Sequence, residues 1–238
     1  MAEKYLRHSC ARSGCCESRS AKMLTQRPSQ YEDAYEVCLM RVRPLRTSPM
    51  SIVLQFDSTR LRSELSDLPP RLRATFAALC ARRLARQSGR LEVAAESQAF
   101  TELHAQLWAA VANTQIRSED TAVAAERAQS LIPADDDDAN AVLTYALQAA
   151  AGGDPKAAAW AAQRVYEAID AFLQDQGFEV GTPAGEAAIL SHPLVQAELQ
   201  RQADDLVALR NLGSSDVPPA TLEAFRERAD AAAESIFG

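Results

Sequence analysis

The sequence predicts an all-α protein: a single bundle of about seven or eight helices over residues 50–238, behind a leader, residues 1–49, expected to be disordered. Three observations carry this. Apolar residues from Phe56 onward recur at spacings of three and four, the period of one helix face, and no run alternates long enough to make a strand. Proline and glycine pairs punctuate the chain at intervals suited to helices of ordinary length. Composition breaks at Met50: the leader holds Cys10, Cys15, Cys16 and Cys38 without a sustained period, and the body is rich in Ala, Leu and Glu.

The charge divides at the same place. Nine Lys and Arg against five Asp and Glu precede Met50, a charge of +4, and sixteen against twenty-seven follow, a charge of −11, which together give the net −7. The leader reads either as a tail or as upstream sequence ahead of a start at Met50. A body of about 190 residues can bury about 70% of its unfolded surface without disulfide or metal. Cys80, the one cysteine of the body, therefore reads as a small buried side chain in a reducing compartment. No run approaches the roughly 18 apolar residues of a membrane span, and no apolar stretch with a cleavage site opens the chain, so a cytoplasmic protein without membrane contact is expected. The acidic balance argues against a dedicated nucleic-acid binder.

The first helix follows Phe56, with Leu61, Leu65 and Leu68 on one face, and ends at Pro69-Pro70. The second is expected over residues 71–87, its stripe formed by Leu72, Phe76, Leu79, Cys80 and Leu84, with Ser88-Gly89 as the stop. A third over 91–113 turns Phe100, Leu103, Leu107, Trp108 and Val111 inward, and an Ala-rich fourth over 119–131 ends at Pro133. The acids Asp135 to Asp138 precede a fifth over 139–150, where they suit the positive helix N-terminus, with Val142, Tyr145 and Ala149 inward. Gly152-Gly153 breaks the chain, Asp154 caps and Pro155 opens the sixth, which carries Trp160, Val165, Ile169, Phe172 and Leu173. A loop with Gly181, Pro183 and Gly185 follows; His192-Pro193 opens a seventh helix to Arg210, and Pro218-Pro219 an eighth with Leu222, Phe225 and Ile236.

Several segments resemble the bacterial proteins grouped as the domain of unknown function 416 family. They are Ala74 to Arg82, Leu107-Trp108, Ile132 to Asp136, His192 to Val195 with the following Glu198 and Gln202, and Ala233 to Ile236, in the family's order over most of the chain after Phe56. After Glu234-Ser235 the family continues with Asn, Ile and Gly where this chain has Ile236-Phe237-Gly238, and the leader has no counterpart. The resemblance implies a compact helical cytoplasmic domain and assigns no catalytic residue.

The residues themselves contain no metal or cofactor motif. The paired Glu-x-x-His motifs of di-metal bundles are absent. In Glu102-Leu103-His104 the two polar side chains fall on different faces, and His104, next to inward Leu103, reads as a partly exposed surface histidine. His192 reads as part of a helix cap. The leader cysteines include no Cys-x-x-Cys pair, and the acidic run lacks the spacing of a calcium loop. No phosphate-binding glycine motif or nucleophile elbow occurs. Residues 71–90 hold six arginines and no acid, and Arg82, Arg83, Arg86 and Arg90 form the candidate contact for a partner or polyanion, against the reading of a solvated face neutralised by acids of neighbouring helices.

These readings favour a binding module without catalytic activity that meets a second copy of itself or another protein. An enzyme would need Glu102, His104 and the acidic run to converge on a pocket. A nucleic-acid-associated protein would use the arginine face.

Overall fold

The computed structural model describes residues 53–87, 98–113, 116–131, 138–213 and 217–236, with the side chains of 86, 87, 235 and 236 excepted. The chain divides into two units, Met1–Ser51 and Ile52–Gly238, and every described residue belongs to the second. The leader and its cysteines thus lie outside the described residues, as do residues 132–137 with most of the acidic run.

Among the described residues there are nine α-helices and no strand: α1 Ser58–Ser66, α2 Pro70–Gln87, α3 Gln98–Ala112, α4 Ser118–Ser130, α5 Asp138–Gly152, α6 Pro155–Asp175, α7 Pro183–Leu190, α8 Pro193–Asn211 and α9 Pro219–Ile236. Five of them begin at a proline, whose missing N–H falls where a helix has no internal acceptor for it. Asp57 and Asp154 cap α1 and α6 by accepting from the backbone N–H of Arg60 and Lys156, both at 2.9 Å. His192 caps α8, Nδ1 accepting from Leu194 N at 3.3 Å, as its position before Pro193 predicts.

The element beyond the expected set is α7. The Gly181 to Gly185 stretch reads as a loop because its glycines are close together, yet Thr182 and Pro183 form a complete helix start. The Thr182 hydroxyl accepts from Gly185 N at 3.1 Å, and Gly185 itself is required: a Cβ there would stand 2.1 Å from the Glu179 carbonyl oxygen.

The core forms around α5, which packs against α2, α4 and α6. Its only charged residue is Asp138 at the N-terminal end, and nine of its residues are buried, so it can be surrounded on most sides. Helix α6 packs against it and buries Ala157, Ala158, Ala161 and Ala162, small residues that let neighbouring backbones approach. Before α1, residues 53–57 run extended. Leu54 exchanges two hydrogen bonds with the Gln196 side chain (2.8 and 2.9 Å), and Phe56 stacks on Tyr166 at 5.2 Å. His104 is a correction: it is buried, because α3 turns a stripe inward wide enough to include Phe100, His104 and Trp108, each four residues apart.

Candidate functional site

The acid-free arginine segment of α2 divides into two halves with different partners. At the N-terminal end Arg71 donates to the carbonyls of Val111 and Ala112 (2.9 and 2.8 Å), the last residues of α3. Arg73 donates to the carbonyls of Leu65 and Leu68 behind α1 (2.9 and 2.8 Å) and of Gly153 behind α5 (2.6 Å). These carbonyls lie at or just beyond the negative C-terminal ends of helices, where a guanidinium adds N–H donors. Gly153 comes close because it must: at φ +64° with a virtual Cβ 2.5 Å from the Pro70 Cβ, the position has no room for a side chain.

At the C-terminal end the partners are carboxylates. Arg82 forms a two-pronged pair with Asp230 of α9, Nε and Nη2 donating to its two oxygens at 2.6 and 2.9 Å. Arg83 is only 2% exposed. Its Nη1 donates to Asp205 Oδ2 at 2.6 Å, its Nε and Nη2 to Glu198 Oε1 at 3.2 and 3.0 Å, and Nη2 also faces the Cys80 sulfur at 3.5 Å. Burial opposes its charge, but Glu198 and Asp205 outweigh burial and hold its pKa above the ordinary arginine value. Burial pushes the Cys80 thiol up to about 12, so it stays a neutral core side chain.

Two of the four sequence-selected arginines are therefore placed, and neither forms an open basic face. Arg83 belongs to the core because position 83 continues the stripe of Phe76, Leu79 and Cys80, and Arg82 is turned toward α9. The Arg86 side chain and Arg90 lie outside the described residues.

What sequence reasoning missed is the counter-charge. Glu198, Gln202 and Asp205 occupy the inward face of α8 between Val195 and Leu209, at the spacings of three and four that normally carry apolar residues. That substitution of polar for apolar residues in a buried register is the signal that could have found them. Gln202 donates to Glu198 Oε1 (3.0 Å) and to the Ala162 carbonyl (3.2 Å). Asp205 completes the cluster, its Oδ1 accepting from Arg228 of α9, which also lies over the Phe225 ring at 4.9 Å.

Among the described residues, Glu102 and Asp138 do not converge on His104. His104 packs between Phe100 and Trp108, whereas Glu102 is on the outer side, paired with Arg127 at 3.2 Å; Asp138 meets Arg164 at 3.5 Å. Among the described residues no group of three or more His, Cys, Asp or Glu could hold a metal ion, and no helix is long and apolar enough to cross a membrane.

A second feature lies on the surface formed by α5 and α6. Trp160 of α6 is 38% exposed, with Tyr145 of α5 against it at 5.3 Å and the Lys156 ammonium over its ring at 4.4 Å.

The fold and its sites thus define an all-helical domain in which a buried arginine, Arg83, is paired with Glu198 and Asp205 inside the core. Among solved structures the fold is similar to that of a DUF416 family protein from Shewanella baltica, with a TM-score of 0.57 and 15% identity over 71% of this chain and 92% of that one. At that identity the likeness is one of fold, and it is the fold that the sequence resemblance implies. No family model matches the chain, and no curated protein matches it.

Proposed function

We propose that the domain is a binding module that self-associates, without chemistry of its own, and that the α5–α6 face around Trp160 meets the same face of a second copy. The exposed, positioned tryptophan carries this reading. A large aromatic ring held by Tyr145 and Lys156 loses little side-chain freedom on contact, and such residues dominate the energetics of interfaces. The face around it mixes Lys156 and Arg164 with Asp138, Glu167 and Asp170, so it can meet a copy of itself across a two-fold axis with opposite charges opposed.

Light scattering across a concentration series tests it. A dimer is expected, and Trp160→Ala should weaken it by about 2 kcal/mol, some thirtyfold in Kd, while leaving the helical content and melting temperature of the monomer in place. Trp108 is buried, so a blue shift of the emission with concentration reports on Trp160. A mass of one chain at every concentration, or a dimer indifferent to Trp160→Ala, would refute the proposal.

A further inference from the structure

Helices α1 and α8 both pack against α6, and a groove of about 130 Å³ remains between them. Leu61 lines it from α1, and Leu199, Gln202, Ala203 and Leu206 line it from α8, where spacings of three and four put them on one face. The extended residues 54–57 add a third wall.

The frame of the groove is tied at two places. Leu54 exchanges its two hydrogen bonds with Gln196 of α8, and Glu64 of α1 meets Arg210 of α8 at 3.5 Å. Both ties join polar groups, and they hold the walls at a spacing that the three leucines leave unfilled. The groove is therefore part of the folded frame, as ligand pockets commonly are.

One polar side chain interrupts the apolar lining from within. Gln202 is only 4% exposed, and its amide is fixed, because Nε2 donates both to Glu198 Oε1 and to the Ala162 carbonyl. Those two bonds use both of its N–H groups. Among the described residues none donates to Gln202 Oε1, so what the amide offers the groove is an acceptor. Charge does not select a ligand here. Asp57 and Glu64 stand with Arg60 and Arg210, two charges of each sign; Asp57 caps α1 and Arg60 Nε donates to Glu64 at 2.8 Å.

We propose that the groove between α1 and α8 binds a small neutral molecule, mostly apolar and carrying one O–H or N–H that it donates to Gln202 Oε1, with phenol as the simplest member of the class. The volume sets the size at a single ring, since an apolar cavity of about 150 Å³ accepts benzene. Leu61, Leu199 and Leu206 supply the apolar contact, and the fixed acceptor orients the polar end. The groove shares no residue with the face around Trp160, so either proposal can fail without the other.

Titration of the full chain with phenol, followed through its leucine methyl resonances by NMR, tests the site. Phenol should shift the methyls of Leu61, Leu199 and Leu206 along one saturable curve. Benzonitrile, a ring of similar size whose polar end accepts and cannot donate, should bind about tenfold more weakly. Ala203 is exposed on α8 at the groove, so Ala203→Leu should fill the space without disturbing the fold and abolish the phenol shifts. The absence of saturable shifts at these leucines overturns the site, as does equal affinity for phenol and benzonitrile. So does a phenol response left intact in Ala203→Leu whose circular dichroism matches the parent.

Discussion

The two ends of α2 hold the same residue type by opposite means. Arg71 and Arg73 sit among uncharged carbonyls at the ends of α1, α3 and α5, and each oxygen is a partial charge that belongs to a helix terminus. Arg82 and Arg83 sit among full carboxylates from α8 and α9. The first end joins neighbours in the fold through groups every helix has. The second depends on particular acids placed more than a hundred residues away, so it is the more specific and the more easily damaged.

The largest effect is expected at Arg83. Arg83→Met keeps most of the volume and leaves Glu198 and Asp205 buried without their cation, which should cost about 3–5 kcal/mol in urea unfolding. Adding Glu198→Gln should recover part of that loss, because the removed charge is the one left unmatched; a double variant no more stable than the single would show that packing, not charge, sets the cost.

At the other end, Arg73→Met removes hydrogen bonds to the carbonyls of Leu65, Ser66, Leu68 and Gly153 and should cost about 2 kcal/mol. Carbonyls do not titrate. The difference between parent and variant should therefore be the same at pH 5 and pH 8, and a difference that changes across that range would place a titrating partner at this end as well.

This contrast also explains what could be read from the sequence. Helices announced by periodicity and by proline starts were legible, including the inward faces of α1 to α3 and the caps at Asp154 and His192, because each signal lies within one turn of chain. The short α7 was hidden by glycines whose role is close approach to Glu179. The arginine segment was legible as an anomaly and not as an arrangement. Six cations without a local acid resemble a surface stripe until Glu198, Asp205 and Asp230 are brought to them in space, and His104 looked half-exposed because its stripe is wider than two positions per turn. What sequence conveys about charge is composition; which charges are buried depends on pairing across the fold.

Cys80 permits the finest test, since it lies against the carboxylate-bound end of α2 and reports on that environment alone. In the unfolded chain its thiol ionises near the ordinary value of about 8.5, whereas burial in the fold holds it to about 12. Below the lower value both states keep the proton, and the cysteine adds no pH dependence. Between the two the folded state retains a proton that the unfolded state has lost, so stability falls as pH rises, by about 1.4 kcal/mol per unit. Tyr166, also raised by burial, contributes only above its own ordinary value of about 10, so the interval from pH 8.5 to 10 isolates the thiol. Cys80→Ala should flatten the stability curve across that interval. A slope that survives the substitution would mean the alkaline loss arises elsewhere, and that the thiol beside Arg83 is less shielded than its burial implies.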